Sequence, residues 1–331
     1  MIRLQSISKS YGSQTVVDDV SFALSAGQTL CLIGSSGSGK STTLRMLNRL
    51  IEPSGGSIAI QGEDIRSRDP VRLRRSIGYV IQQVGLFPHL SVGRNIGLML
   101  EIEKWSRERI QARIAELLAL VQLEPAFASR YPHQLSGGQQ QRVGVARALA
   151  LNPPIILLDE PFAALDPITR AQLQDSFLDL QRRFGITAVM VTHDLAEAFK
   201  CGDKIGLMER GRLLQLGTPL EILNQPASPY VSEFMRGQRG LEQLLELPVA
   251  KLAIPLAAAG PAWRLDGTTL SWQPPEGEPL TRIPVLASAA PLREAIRLLL
   301  GSALPGLPVQ GPDGPNGLLG IVSLDEIRRL L

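Results

Sequence analysis

A glycine-rich segment near the N-terminus places the strongest constraint on what this chain can fold into. It follows the apolar run at residues 29–33 and consists of Gly34, Ser35, Ser36, Gly37, Ser38, Gly39, Lys40, Ser41 and Thr42. Strand, glycine loop and helix in this order bring backbone N–H groups and a helix dipole onto one anion. Lys40 adds a cation for the outer phosphates, and Ser41 offers a hydroxyl to Mg²⁺. The segment therefore predicts a nucleoside triphosphate site.

The main alternative for this segment is a dinucleotide-binding loop, because Gly37 and Gly39 could begin the pattern G-x-G-x-x-G. That pattern requires a glycine at position 42, where this chain has Thr42. The pattern G-x-x-x-x-G-K-[ST] is complete, so we interpret the segment as a triphosphate loop.

Two acidic residues follow the uninterrupted apolar run at residues 155–158, which is typical of a buried parallel strand. They are Asp159 and Glu160, and ligands of open α/β sheets bind at that carboxyl edge. Asp159 can hold Mg²⁺ through its water shell, and Glu160 can polarise a water for attack on the γ-phosphate. A role as mere partners of a helix dipole is the weaker alternative beside a phosphate loop.

Gln82 and His193 follow two further strand-like runs, at residues 77–81 and 187–191. Gln82 could ligate the metal or hold the attacking water, although a solvated glutamine is the ordinary interpretation of such a residue. A histidine after a strand is often structural. The match between its position and that of Asp159 favours a contact of His193 with the γ-phosphate.

Two segments away from these strand ends are further candidates for nucleotide contact. The first begins a helix and consists of Leu135, Ser136, Gly137, Gly138 and Gln139. Ser136 is a good N-cap, and the two glycines expose backbone N–H groups that a plain capped helix would not need, so a second anion site is predicted. Tyr11 could stack on a base, and ordinary packing beside Gly12 is its alternative.

The composition restricts the class of protein. The chain has 331 residues, which favours one large domain and a smaller one. A net charge of +3 without a long basic run argues against nucleic acid as a partner. Two cysteines fit a reducing, cytoplasmic setting. No apolar run approaches the ~18 residues of a membrane span, so a partner chain must supply the spans in any membrane process.

The rest of the first domain is predicted as alternating strands and helices. We expect short strands over residues 1–30, an edge strand at 57–60, a helical insertion at 106–130 and a strand, turn and strand over 205–216. Thr218 begins a capping box, so a short helix should reach Asn224. This domain is expected to end near Gly237.

A second module is indicated beyond that point, where the composition changes. Residues 241–331 contain 12 of the 24 prolines, and Lys251 is their one lysine. Its clearest part is the order strand, helix, strand, strand, helix, at residues 283–285, 292–300, 307–309 and 318–322 and after Ser323, with a turn through 313–314. About fifty residues of this kind need a partner half to bury their sheet.

These motifs, in this order, resemble the ATP-binding subunits of ATP-binding cassette (ABC) transporters over residues 1–237. The glycine loop resembles the family's Walker A motif, and Asp159 and Glu160 resemble its Walker B pair. Gln82 is similar to the Q-loop glutamine, and His193 to the switch histidine. The resemblance implies an α/β fold with a P-loop NTPase-type sheet core, an antiparallel β-subdomain and a helical insertion at about residues 88–150. It implies ATP and Mg²⁺ as cofactors, with Ser41, Gln82 and Asp159 near the metal.

The resemblance extends to the remaining candidates. Residues 135–139 resemble the signature sequence, Asp166 the D-loop aspartate and Tyr11 the adenine-stacking aromatic. In the family, two cassettes pair head to tail, and the signature of one closes over the ATP bound to the other. A chain with one copy of each motif must then form a homodimer around ATP.

The resemblance also implies partners and a location. Residues 84–89 resemble the surface that receives a membrane subunit, and their sequence is similar to that of importers of glycine betaine, choline and carnitine. The sequence of residues 164–170 is also similar to that of these importers. We therefore expect two membrane-spanning permease subunits, an external substrate-binding protein and a peripheral location on the cytoplasmic face of the membrane. A cassette ATPase for another small solute, a soluble non-transport cassette ATPase and a ligand-sensing regulator are the alternatives.

The final fifty residues, about 279–331, resemble a cystathionine-β-synthase-type (CBS) repeat, a module that several of those importers carry. Residues 241–273 look like a degenerate first copy. Glu326 stands where adenosine-binding repeats place an aspartate, and Asp325 precedes it. We therefore expect a regulatory or dimer-bracing tail at 238–331, and nucleotide binding by it is doubtful.

Overall fold

The computed structural model describes most of the chain in two compact units. The described residues are 1–82, 85–163, 165–236, 249–251, 253–254, 263–266, 269–273, 280, 283–300, 304–311, 318–323 and 327. The units are Met1–Pro219 and Leu220–Leu331. Residues 220–236, which the sequence assigns to the first domain, group with the second unit, and the expected boundary at Gly237 lies outside the described residues. The domain boundary stays a prediction.

The first unit contains a four-stranded antiparallel sheet at its N-terminal end. Its strands are β1 (Ile2–Tyr11), β2 (Gln14–Leu24), β4 (Gly55–Ile60) and β5 (Glu63–Asp64), in the order β2-β1-β4-β5. The first two strands are 10 and 11 residues long, so the expected short strands are in fact one bulged hairpin. The prediction of an edge strand at 57–60 was wrong, because β5 turns back after Gly62 and pairs with β4 on its outer side.

The second sheet of this unit has six strands and carries the candidate site. It contains β3 (Thr29–Gly34), β6 (Ile77–Val80), β7 (Ile155–Asp159), β8 (Thr187–Val191), β9 (Lys204–Glu209) and β10 (Arg212–Gly217). The order is β10-β9-β3-β8-β7-β6, and only β10 runs antiparallel to its neighbour. Every residue of β3, β7 and β8 is buried, as the continuous apolar runs predict for parallel strands covered on both faces.

Seven α-helices lie between these strands in the described part of the first unit. They are α1 (Lys40–Leu47), α2 (Pro70–Arg75), α3 (Val92–Ile102), α4 (Arg107–Leu120), α5 (Gly137–Ala148), α6 (Pro167–Phe184) and α7 (Leu195–Cys201). The predicted insertion at 106–130 is α4, capped by Ser106, followed by a 3-10 turn at Pro125–Ser129. Leu44, Met46 and Leu47 of α1 join residues of both sheets in one hydrophobic core, which fixes the phosphate loop to a rigid base.

The second unit contains three α-helices, a hairpin and a small sheet among its described residues. The elements are α8 (Pro219–Asn224), α9 (Pro229–Arg236), β11 (Trp263–Asp266), β12 (Thr269–Trp272), β13 (Leu286–Ala287), α10 (Leu292–Leu300), β14 (Gly306–Gln310) and β15 (Leu318–Ser323). β13 pairs parallel with β14, and β14 antiparallel with β15. The predicted helix at 292–300 and strands at 307–309 and 318–322 are present. The strand predicted at 283–285 is found instead at Leu286–Ala287, past Pro284, which has no N–H to donate.

Several expectations for the tail lie outside the described residues. These are the turn at 313–314, the helix after Ser323 with Asp325 and Glu326, and much of 241–273. The CBS-like interpretation therefore stays a prediction. None of the helices in the described part of the chain combines the length and the hydrophobicity that crossing a lipid bilayer requires.

Candidate nucleotide site

The order of the six-stranded sheet places four predicted site segments side by side. Strands β3, β8, β7 and β6 are consecutive neighbours and run parallel. Their carboxyl ends lead into the glycine loop, His193, the acids Asp159 and Glu160, and Gln82, respectively. Because this edge is where open α/β sheets bind ligands, residues far apart in the sequence share one site.

The glycine loop holds the ammonium group of Lys40 in its interior. Lys40 Nζ donates hydrogen bonds to the carbonyl oxygens of Gly34 at 2.9 Å and Ser35 at 2.8 Å, and to Ser38 Oγ at 3.3 Å. The residue is only 8% exposed. Burial lowers the pKa of Lys40 from its ordinary value, while the charges of Glu160 and Asp159 act in the opposite direction. The cation is therefore preorganised among backbone groups suited to phosphate oxygens.

Close backbone contacts explain why this loop begins with Gly34 and has Gly39 before Lys40. Gly39 has φ +97°, and a Cβ there would lie 2.7 Å from the carbonyl oxygen of Val16 in β2. At Gly34, with φ +145°, a Cβ would overlap the carbonyl of Met208. The N–H of Gly211 in the β9–β10 turn donates to Ser38 O at 3.1 Å. The loop is thus clamped between β2 and this turn.

The two oxygen ligands predicted for Mg²⁺ are in direct contact. Ser41 Oγ donates to Asp159 Oδ1 at 2.8 Å. The other oxygen, Asp159 Oδ2, is buried without a hydrogen-bond partner among the described residues and lies 3.5 Å from Arg45 Nη2. A buried carboxylate oxygen beside a hydroxyl is a suitable donor set for Mg²⁺, which takes one or two protein oxygens and completes its shell with water and phosphate. These residues fit the ion.

Glu160 is the centre of the candidate catalytic edge, which we define as the residues that follow the carboxyl ends of β3, β8, β7 and β6. Its Oε2 accepts a hydrogen bond from Gln82 Nε2 at 2.8 Å, and its Oε1 lies 3.4 Å from His193 Nδ1. Its backbone has φ +48°, in the left-handed region, and its N–H donates to Val191 O at 2.9 Å. Non-glycine residues adopt this conformation rarely and often at functional sites, where it aims a side chain. The carboxylate joins residues from the ends of β6, β7 and β8.

The signature segment is built locally and is not bonded to this edge. Ser136 Oγ accepts from Gln139 N at 3.3 Å, and Gln139 Oε1 accepts from Ser136 N at 3.0 Å, which completes a capping box. A Cβ on Gly137 would meet nothing within 4 Å, whereas one on Gly138 would lie 2.9 Å from Leu165 Cδ2. The segment lines a surface groove of about 530 Å³ together with Asp166.

The two remaining predicted residues, Asp166 and Tyr11, lie apart from the contacts around Glu160. Asp166 caps α6 by accepting a hydrogen bond from Thr169 N at 3.0 Å. Tyr11 ends β1 with 52% of its surface exposed, and Lys9 Nζ lies 4.9 Å from its ring centroid. About half of the residue is therefore open to solvent, and Lys9 lies over the ring.

A second groove of about 480 Å³ lies at the surface predicted to receive a membrane subunit. Its lining includes Phe87, which is 42% exposed, and Arg147, whose Nη1 donates to Gly85 O at 2.8 Å. The fully buried Asn95 of α3 fixes the loop at 87–91 through its carboxamide. Its Oδ1 accepts from Phe87 N, and its Nδ2 donates to the carbonyl oxygens of Phe87, Leu90 and Ser91. Val84 lies outside the described residues.

Sequence reasoning missed three residues that shape these surfaces. Arg45 follows Ser41 by four positions, which places both on one face of a helix. Because Ser41 was predicted to lie beside Asp159, this spacing could have identified Arg45. Arg170 likewise follows Asp166 by four positions in α6. Asn95 carried no signal, because its role depends on carbonyl groups of an irregular loop.

A phosphate loop at the end of β3, with the bonded pair of Ser41 and Asp159 and the carboxylate of Glu160 at a neighbouring strand end, is typical of a P-loop nucleotide-binding domain. Comparison with known proteins agrees with this class. Residues 17–163 match the family model described as ABC transporter. The chain belongs to the ATP-binding cassette transporter family, as its motifs indicated.

Curated relatives in this family are close in sequence. The chain is 52% identical over 240 residues to the "Glycine betaine/carnitine/choline transport ATP-binding protein OpuCA" of Bacillus subtilis, covering 72% of this chain and 63% of the relative. It is 50% identical to the "Glycine betaine uptake system ATP-binding protein YehX" of Escherichia coli, covering 74% of this chain and 80% of the relative. The matched region spans 61–63% of the length of the OpuCA and OpuBA proteins of Bacillus subtilis and of the OpuCA protein of Listeria monocytogenes.

A solved structure supports the same fold. The chain superposes with a TM-score of 0.62 and 37% identity on a dimeric ATP-binding cassette in a post-hydrolysis state bound to ADP and Pi, covering 66% of this chain and 99% of that one.

Proposed function

We propose that this chain is an ATPase subunit of a bacterial importer that takes up a quaternary ammonium or betaine-type osmoprotectant. The observation that carries the ATPase part is the contact of Glu160 with both Gln82 and His193, beside the bonded pair of Ser41 and Asp159. This arrangement brings a base, a water-positioning amide and an imidazole to the edge where the phosphate loop ends.

Each residue has a role that follows from its contacts. Ser41 and Asp159 would hold Mg²⁺, which would neutralise negative charge on the phosphates. Lys40 binds phosphate oxygens from inside the loop, and Glu160 accepts a proton from the attacking water. Gln82 orients that water and the Glu160 carboxylate, which it contacts at 2.8 Å. His193 stabilises the charge of the phosphoryl group.

The second half of the site comes from another copy of the chain. Ser136 and the N–H groups of Gly137 and Gly138 are positioned at a helix start, where anions bind favourably. The hydrogen bonds of this segment stay within residues 132–140 and the helix that follows. We infer that it contacts ATP held by a partner chain, with Tyr11 stacking on the adenine and Asp166 at the dimer contact. The dimeric cassette with ADP and Pi supports this arrangement.

The transported solute is inferred from the relatives. Their names give glycine betaine, carnitine and choline as the transported compounds. The exposed ring of Phe87 and its groove are the proposed contact with two permease subunits, which places the chain at the cytoplasmic face of the membrane. An external binding protein would deliver the solute. Residues 238–331 are proposed as a CBS-like regulatory or dimer-bracing module.

Transport by reconstituted vesicles tests this proposal. The chain and its cognate permease are placed in inside-out and right-side-out vesicles, and uptake of labelled betaine, choline and carnitine is compared with that of sugars and amino acids. ATP-driven uptake of the quaternary amines is expected. Uptake of another solute alone would identify a different importer, and co-purification with nucleic acid instead of a permease would indicate a non-transport ATPase. Loss of osmolyte control, but not of turnover, after truncation near residue 237 would identify the tail as regulatory.

A further inference from the structure

Arg170 is a charged residue in the first turn of α6 whose guanidinium group joins two loops beside the catalytic edge. Its Nη2 donates a hydrogen bond to the carbonyl oxygen of Leu165 at 3.2 Å, in the D-loop. Its Nη1 lies 3.3 Å from Asp194 Oδ2, and its Nε lies 3.8 Å from Glu197 Oε1. One planar side chain therefore ties the D-loop to the segment that follows the switch histidine.

The two acids that Arg170 contacts hold the backbone on both sides of His193. Asp194 Oδ1 caps α7 by accepting from the N–H groups of Ala196 at 2.8 Å and Glu197 at 3.3 Å. Glu197 Oε2 accepts from the hydroxyl of Thr192 at 2.6 Å, and that hydroxyl oxygen accepts from Asp194 N at 3.0 Å. The residues before and after His193 are thus fixed by groups in contact with one arginine.

His193 depends on this backbone support because its own side chain has little packing. The imidazole is 66% exposed, and its Nδ1 lies 3.4 Å from Glu160 Oε1. An exposed ring is oriented mainly by the position of its Cα and by its few polar contacts. A shift of the segment from Thr192 to Glu197 would therefore move the ring relative to Glu160.

The positive charge of Arg170 stabilises the two carboxylates in the segment from Thr192 to Glu197. Glu197 is 4% exposed and lies close to a second carboxylate, that of Asp194. Burial raises the pKa of Glu197, and the guanidinium of Arg170 acts in the opposite direction. Removing the cation that faces the buried carboxylate of Glu197 leaves that group without its charged partner, which favours rearrangement of the residues around it.

We infer that Arg170 is a positioning residue for the proposed ATPase reaction: it fixes His193 against Glu160, and it makes that position depend on the D-loop. The role rests on the proposed function, in which His193 stabilises the phosphoryl group. Arg170 itself contacts neither the phosphate loop nor the magnesium pair among its described contacts. Its loss should therefore impair turnover and leave ATP binding intact.

Steady-state kinetics of the full-length protein test this role. Arg170→Met should lower kcat by about 10- to 100-fold, while KM and the measured ATP affinity change by less than about twofold. Arg170→Lys should recover part of kcat, because one ammonium group keeps the charge but does not reproduce the planar contacts with three acceptors. The matched control is Arg182→Met, an exposed arginine on the same helix, which should retain wild-type kcat.

A double-mutant cycle separates positioning from general damage to the fold. If Arg170 acts through His193, the kcat of Arg170→Met combined with His193→Ala should equal that of His193→Ala alone. Additive losses would overturn the inference, as would wild-type kcat in Arg170→Met. Should that variant fail to fold, the same cycle with Arg170→Lys decides.

Amide hydrogen exchange provides a readout that needs no turnover. Arg170→Met should speed exchange at residues 192–197 and leave residues 34–41 unchanged. Unchanged exchange at 192–197 would contradict the inference. If the wild-type protein hydrolyses no ATP, the proposed function fails, and this comparison alone still decides whether Arg170 holds the segment.

Discussion

The catalytic edge and the signature segment belong to the same compact unit, but they are built from contacts of very different range. At the edge, Ser41 bonds to Asp159 across 118 positions of the sequence, and Gln82 bonds to Glu160 across 78. The hydrogen bonds of Ser136 reach only three or four residues along the chain. The catalytic edge is assembled by contacts within this chain, whereas the signature segment presents backbone N–H groups at a surface groove. This difference is what the proposed site, shared between two chains, requires.

Glu160→Gln should have the largest effect on ATP turnover, because it removes the proposed base from the catalytic edge. We expect kcat to fall by about 10²- to 10⁴-fold, while an ATP-stabilised dimer still forms. ATPase assays and size-exclusion chromatography with ATP and Mg²⁺ check the two parts. Glu116→Gln, which alters an exposed carboxylate on α4, is the control and should keep wild-type turnover. Turnover at the wild-type rate in Glu160→Gln would show that another group is the base.

Mixing two inactive variants tests whether the halves come from different chains. Ser136→Arg and Glu160→Gln should each be inactive as homodimers. Equal mixing should restore about a quarter of wild-type ATPase activity, because half of the dimers are mixed and each of those has one intact site. If both variants bind ATP but no mixture regains activity, the two-chain site is contradicted.

Two glycine substitutions should sharpen the contrast between the regions. Gly39→Ala should lower the free energy of unfolding by at least about 1–2 kcal/mol, because of its positive φ and the nearby Val16 carbonyl. Gly137→Ala should stabilise α5 by up to about 1 kcal/mol, because open space surrounds the site and alanine favours the helix. It should nevertheless lower turnover by at least about tenfold by blocking close approach of a partner's nucleotide. Urea unfolding and ATPase assays measure both; unchanged turnover in Gly137→Ala is the contrary result.

The pH dependence of stability should show the smallest effect. Burial raises the pKa of Glu197 above its usual value, so the folded protein binds this proton more tightly than the unfolded chain does. Its contribution to the free energy of unfolding is complete below the ordinary glutamate pKa and decreases as pH rises through the raised value. The stability of wild type relative to Glu197→Gln should therefore decline as pH rises above about 4.3, the ordinary pKa of glutamate. A difference that stays constant in urea titrations over this range would exclude a raised pKa.

Sequence motifs predicted that the candidate site residues lie together, because parallel strands bring their carboxyl ends to one edge of the sheet. The positions of Asp159, Glu160 and His193 relative to buried apolar runs were sufficient for this. The sequence did not reveal that Gln82 bonds to Glu160 directly, since that contact depends on the left-handed backbone at Glu160. The bonds of Arg170 also connect loops whose relative position is set only by the folded sheet.

Local patterns were less reliable where pairing between segments decides the structure. The alternating residues at 57–60 identified a strand but not its place in the sheet, because its outer neighbour β5 has only two residues. The strand near 283–285 was placed too early, since apolar residues around Pro284 resemble a strand although proline cannot donate to a ladder. Turns and pairing partners, more than hydrophobicity, determined these boundaries.

Asn95 gives the loop before α3 a property that neither regular secondary structure nor apolar packing provides. Its carboxamide accepts a hydrogen bond from one N–H group and donates to the carbonyl oxygens of Phe87, Leu90 and Ser91. The side chain must therefore act as donor and acceptor at the same time. An aspartate of the same shape would bring its oxygens into repulsion with those carbonyls. These bonds tie residues 87–91 to α3, so we expect a force applied to the ring of Phe87 to be transmitted to the helix.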